Sequence, residues 1–180
     1  HERSRRQRQM CIRDSYMYMR LLGYPAGRIS VLTTYNGQKD LLADIFKQRC
    51  AKDPKYGLPQ INTVDKYQGS QNDYVLLSLV RTKHVGHLRD ARRIVVAMSR
   101  ARLGLYVFGR MSTFKSCNSL GSTMTSFLRR PSRLALACSE NFGSQPGRNV
   151  HDPPENSVFI DGPIEMGILV SQLANRHLIS

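Results

Sequence analysis

Two rhythms of apolar positions run along this chain. Tyr74–Val80 (YVLLSLV) and Leu105–Phe108 (LYVF) are continuous apolar runs of strand length. Continuous hydrophobicity, as opposed to alternation, marks strands buried on both faces. Ile29–Thr33 (ISVLT) and the shorter Ile61–Val64 add two more strands. The second rhythm is helical. Over Gln38–Ala51, Leu41, Leu42, Ile45, Phe46 and Cys50 share one face. Over 163–178, Met166, Leu169, Val170, Leu173 and Ala174 recur at helical spacing, which predicts a helix docked on the body or on a neighbouring domain. Between the two apolar runs an arginine-rich helix is expected over 91–103, with Asp90 as N-cap and Gly104 as its stop. Strand, helix and strand at this spacing read as a right-handed βαβ unit of a parallel sheet.

The ends are less regular. A short helix over 16–22, with Tyr18, Leu21 and Leu22 on one side, ends at Gly23 before Pro25. Residues 1–15 show no apolar period and are expected to be a foreign or disordered leader, with a basic RNA-binding arm as the alternative. Residues 123–130 suggest a helical turn stopped by Pro131, 133–138 a strand, and 139–157 a mobile loop rich in Ser, Gly, Pro and Asn. The organisation expected is a leader at 1–15, a main domain at 16–138, and a loop with a C-terminal helix at 139–180.

Charge changes this picture most. The 180 residues carry a net charge of +14. Residues 81–102 hold seven Lys/Arg (Arg81, Lys83, Arg89, Arg92, Arg93, Arg100, Arg102) against one acid, Asp90. Such clustering is the electrostatic footprint of a polyanion. A merely soluble basic surface is the plainer reading. On a continuous helix Arg93 and Arg100 would fall within about 20° of each other around the axis, two turns apart. No apolar run approaches the ~20 residues needed to span a bilayer, and no membrane partner is expected. Cys11, Cys50, Cys117 and Cys138 are scattered without a C-x-x-C pair, which fits a reducing compartment. His84 and His87 lack the neighbours of a metal site, so no metal ligands are assigned.

Three segments carry a resemblance, in the right order: LTTYNGQ (32–38), VDKYQGSQNDYVLLSLVR (64–81) and RRIVVAMSRAR (92–102). Together they resemble the motifs of the second motor domain of superfamily-1 helicases, in the RNA-acting branch that includes intron-binding spliceosomal helicases. The resemblance is tight over 29–117 and loose beyond. It implies an α/β fold, a RecA-like parallel sheet flanked by helices, the P-loop NTPase fold in its second motor domain.

By that resemblance Arg100 is the arginine finger of ATP hydrolysis. A guanidinium is planar, always charged and forks onto phosphate oxygens, and such a finger is worth roughly 10³–10⁵ in turnover. Gln68, Gly69, Gln71 and Arg93 are the expected nucleotide-binding residues. Gly69 allows backbone to approach phosphate or ribose, although an ordinary strand-entry turn needs the same glycine. Gln71 departs from the family, which has Glu there; a neutral amide hydrogen-bonds but lends no charge. Thr33, Thr34, Tyr35 and Gln38 follow the first strand, where open α/β sheets bind ligands, and are expected to grip RNA without reading sequence. Tyr35 either stacks on a base or packs internally. Arg81, Thr82 and Lys83 form a second RNA-contacting group.

No G-x-x-x-x-G-K-[ST] and no acidic run for magnesium occurs in these residues. ATP is therefore expected in a cleft shared with an N-terminal RecA-like domain that holds Mg2+, and this chain alone is expected to be inactive. The partners implied are single-stranded intron pre-mRNA and spliceosomal proteins, in the nucleus. Two alternatives stand beside this reading. One is an RNA-binding spliceosomal scaffold with weak or no hydrolysis, which Gln71 favours. The other is a different superfamily-1 RNA or DNA helicase.

Overall fold

A computed structural model describes residues 2–79, 91–109, 134–137, 140–143 and 157–179. The described elements are α1 (Glu2–Leu21), a 3-10 turn (Ala26–Arg28), β1 (Ile29–Thr33), α2 (Asn36–Cys50), β2 (Gln60–Thr63), β3 (Asn72–Ser78), α3 (Ala91–Met98), β4 (Ala101–Phe108), β5 (Leu134–Ala137), β6 (Ser157–Ile160) and α4 (Pro163–Ile179). Strands β1 to β4 form one parallel sheet in the order β2-β1-β3-β4. The expected RecA-like sheet flanked by helices is what the chain forms.

The continuous apolar runs are explained by two covered faces. Ile29, Val31, Tyr74 and Leu76 pack with α1, α2 and α4. Leu32, Val75 and Leu77 pack on the other side with Tyr67 and Ala97 of α3. All five residues of β1 and all seven of β3 are buried. In α2 the buried positions are Gln38, Leu42, Phe46 and Cys50, four apart each time, so a single narrow stripe meets the core. Leu41, expected on that stripe, is exposed.

The amino end departs from expectation. Residues 2–21 are one helix, and the predicted leader is part of it. Ile12 and Tyr16 are fully buried, and the Tyr16 hydroxyl donates to the Tyr56 carbonyl at 2.8 Å. Helix α1 packs along α4, so the C-terminal helix docks on the body of this chain. The helical period was hidden because polar residues lie among the buried positions: Gln9, Asp14 and Ser15 are buried beside Ile12 and Tyr16. Hydrophobicity alone does not register such a face.

Two more corrections concern the arginine-rich segment and the C-terminal loop. Helix α3 ends at Met98 rather than near 103, and the ARLGLYVF run is all strand, paired with β3 at Ala101 and from Gly104 to Phe108. Gly104 therefore stops no helix. It lies opposite Tyr74, where a Cβ would come within 2.9 Å of the tyrosine ring. The ring is held in turn by Tyr24, edge-on at 4.9 Å. The strand expected over 133–138 is β5, which pairs antiparallel with β6 where the expected loop ends at Ser157, and within that loop segment Phe142 packs on Tyr24. The suggested cap Asp90, the turn at 123–130 and most of 139–157 lie outside the described residues. Among the described residues no helix is long and apolar enough to cross a membrane.

Candidate functional site

The parallel sheet has two ends, and the candidate residues divide between them. β3 spans six residue steps from Asn72 to Ser78, so the ends lie about 20 Å apart.

The segment 64–71 leaves β2 at the carboxyl end of the sheet and crosses to the amino end, where β3 starts. Tyr67 anchors it, buried, with its hydroxyl 2.9 Å from the Ser30 hydroxyl of β1. Beyond that anchor Gln68, Gly69, Ser70 and Gln71 are all exposed. Gly69 has φ +82°, the left-handed region that glycine enters freely, and no atom lies within 4 Å of where its Cβ would be. A close approach by a ligand is thus open at this residue.

Arg100 meets this turn. It stands two residues past the end of α3, not on the helix, so the expectation that it shares a helical face with Arg93 does not hold. Its Nε donates to the Val96 carbonyl at 2.9 Å, and one Nη donates to the Ser70 carbonyl at 3.2 Å. The other Nη lies 3.0 Å from the Ser99 hydroxyl, which itself donates to Val96 O at 2.9 Å. Near the end of α3 the Val96 carbonyl is thus satisfied by side chains, while the Val95 and Ala97 carbonyls accept from the Ser99 and Arg100 backbone amides. A guanidinium has five N–H groups, so these three bonds leave two for a ligand. Gln71 Nε2 reaches the Ser99 carbonyl at 3.5 Å. Arg100, Gln68, Gly69 and Gln71 are therefore brought together. Arg93 lies in α3, with its side chain outside the described residues.

At the carboxyl end, β1 finishes in Thr33 and runs through Thr34 and Tyr35 into α2. The Thr33 and Thr34 hydroxyls are buried with no hydrogen-bond partner among the described residues. The Tyr35 carbonyl accepts from the Gln38 and Lys39 amides and so starts α2. Gln38 is buried, with Gln9 Nε2 donating to its Oε1 at 3.4 Å, so it faces α1 in place of open solvent. Arg81, Thr82 and Lys83 lie outside the described residues. The structure adds Arg8, which sequence reasoning set aside with the leader: its guanidinium donates to the Leu79 carbonyl just past β3, at 3.3 Å.

Burial pushes the Cys11 and Cys50 thiols up to about 11, so neither offers a thiolate near neutrality. Asp14 is held above the ordinary carboxylate range by burial, against the opposing pull of Arg13 and Arg49. These groups sit at the junction of α1 and α2, away from both ends just described.

Residues 7–112 match the AAA domain family, and the match takes in both ends of the sheet. The chain belongs to this family. It is also 52% identical over 165 residues to the RNA helicase aquarius of Mus musculus, which covers 91% of this chain and 11% of that protein. Helicase sen1 of Schizosaccharomyces pombe is 39% identical over 107 residues, 58% of this chain and 6% of its own length. The Schizosaccharomyces pombe helicase required for RNAi-mediated heterochromatin assembly is 39% identical over 101 residues, 54% of this chain and 10% of its own. The chain is thus an aquarius homologue and carries the C-terminal RecA-like part of a superfamily-1 helicase. It spans about a tenth of the length of these relatives. The match from residue 7 also places most of the expected leader inside the family's domain.

Proposed function

We propose that this chain is the second half of an ATP-dependent RNA helicase motor that acts on introns during splicing in the nucleus. Arg100 is its arginine finger. The observation that supports this most is the bond from Arg100 to the Ser70 carbonyl, which joins two segments 30 residues apart into one exposed, cationic edge. The donor set suits a nucleotide: two free guanidinium N–H groups, the Gln68 and Gln71 amides, and a glycine that leaves the backbone uncovered.

ATP, when bound, supplies the γ-phosphoryl group whose transfer to water drives the motor, with Mg2+ held by the first motor domain. Arg100 neutralises charge on the transferring group. Gln68, Gly69 and Gln71 hold the nucleotide from this side, and Arg93 supports them from α3. At the opposite end Thr33, Thr34 and Tyr35 grip the backbone of single-stranded RNA, and Arg81, Thr82 and Lys83 serve the same grip. The two orphaned threonine hydroxyls support that assignment, because buried hydroxyls ordinarily find a partner. Gln38 acts there by fixing the start of α2. Spliceosomal proteins are the partners that the likeness to aquarius suggests.

The test is Arg100→Ala and Arg100→Lys in the full-length helicase, measuring RNA-stimulated ATP turnover, ATP affinity and Tm together. Lysine keeps the charge and loses the fork, so both variants should lose most turnover, at least about 100-fold, with ATP affinity little changed. Turnover within about threefold of wild type would remove the finger assignment. A second reading, an RNA-binding scaffold with weak hydrolysis, is favoured by Gln71, whose neutral amide already leans on the Ser99 carbonyl. It predicts low wild-type turnover that Gln71→Glu raises.

A further inference from the structure

Resting on the finger assignment for Arg100, we infer that Asp73 and Arg102 form a positioning clamp that sets where Arg100 stands. The observation is an irregularity in the sheet. Asn72 pairs with Ala101, but Tyr74 pairs with Gly104, so Arg102 and Leu103 together stand opposite the single residue Asp73. Two residues facing one is a β-bulge, a feature rare between parallel strands that bends the chain and re-aims side chains. Leu103 is turned outward and is 64% exposed. Arg102, also exposed, reaches across to Asp73, with its Nη2 2.9 Å from Asp73 Oδ1.

The acid is the fixed member of this pair. Its side chain is only 12% exposed, whereas that of Arg102 is 57% exposed. Arg28 of the 3-10 turn approaches the other carboxylate oxygen at 3.5 Å and lies over the Phe142 ring. The Asp73 amide donates to the Asn72 side-chain carbonyl at 2.9 Å. Asn72 Nδ2 in turn donates to the Gly27 carbonyl at 3.0 Å and meets the Ser30 hydroxyl at 2.8 Å, the same hydroxyl that anchors Tyr67.

Arg100 is held from this frame on two sides. The Asn72 amide donates to the Arg100 carbonyl at 3.0 Å. Two residues on, Arg102 is pinned by Asp73. Consecutive residues of β3 thus fix the chain directly before and within the bulge, while the Tyr67 anchor fixes the Gly69 turn from the same Ser30. The finger and the turn it contacts are referenced to one buried point. Releasing Arg102 lets the bulge relax and shifts Arg100 relative to Gly69. A displacement of about 1 Å at a reacting centre costs up to about 100-fold in rate.

The experiment uses the full-length helicase with Asp73→Asn, Arg102→Met, their double variant, Arg102→Lys and Arg100→Lys, measuring kcat, KM for ATP and Tm side by side. Asp73→Asn and Arg102→Met should each lower kcat by about 10-fold or more while KM for ATP stays within about twofold. The double variant should be no worse than the worse single one, because the two residues act through one contact. Arg102→Lys should restore turnover, since a single N–O contact needs charge but no fork. Arg102 is largely exposed, so Arg102→Met should retain its fold and keep the result readable even if Asp73→Asn does not. Near wild-type turnover in both single variants, with Arg100→Lys inactive, overturns the clamp and leaves the finger standing. Full turnover in Arg100→Lys overturns the finger and the clamp with it. A raised KM at unchanged kcat in Arg102→Met assigns Arg102 to the nucleotide itself and overturns the positioning role.

Discussion

At the scale of single residues, two charged groups show how neighbours decide roles. Arg100 was marked by the Ser-Arg-Ala pattern, but its bonds to Val96 O, Ser70 O and Ser99 Oγ depend on where α3 stops. It both closes the end of α3 and faces the open edge. Replacing it should therefore lower Tm by a few degrees as well as activity, since partly exposed hydrogen bonds contribute about 0.5–1.5 kcal/mol each. Asp14 is the reverse case. Arg13 holds Oδ1 at 2.6 Å, while Oδ2 is buried without a partner among the described residues. Burial raises its pKa in the fold, so the neutral form is favoured there. Stability from this group is complete below the unfolded carboxylate range and is lost as pH rises through the folded pKa. Asp14→Asn should thus flatten the fall in Tm as pH rises above the unfolded carboxylate range, followed by thermal melts across that rise. An unchanged pH profile would show that Asp14 does not titrate in this window.

Among elements, α1 carries the largest revision. Its first half reads as polar and basic, and only packing against α2, α4 and the sheet reveals which positions are inside. Ile12 is fully buried, so Ile12→Ala should cost about 2–5 kcal/mol of unfolding free energy in a denaturant titration of the 180-residue chain. A cost below about 1 kcal/mol would mean the residues before Tyr16 are dispensable to the fold. The end of α3 was equally illegible. Ala101–Phe108 includes residues compatible with a helix, and pairing with β3 overrode that tendency. By contrast β1 was placed residue for residue, because an apolar run between turn residues admits few alternatives.

At the scale of the molecule, charge and sheet polarity act together. A net charge of +14 at 180 residues predicts that binding to single-stranded RNA weakens steeply with salt, through release of counterions from phosphates. Fluorescence anisotropy with unstructured oligonucleotides should give a strongly negative log–log slope and little difference between sequences. Binding indifferent to salt would count against a phosphate-gripping surface. The nucleotide edge we propose lies at one end of the strands and the proposed RNA edge at the other, with about 20 Å of sheet between the two.

The sequence by itself determined the parallel α/β sheet, the basic character and the motif residues around Gly69 and Arg100, because these depend on local runs, net charge and short spacings. Tertiary structure alone decided that α1 begins before Tyr16 and buries Gln9, Ile12, Asp14 and Ser15, that Arg100 lies past its helix, and that a bulge aims Arg102 at Asp73. Each of these turns on contacts between residues distant in the chain. Burial and strand register arise only when those partners meet, and no local pattern encodes which partner a buried polar side chain will find.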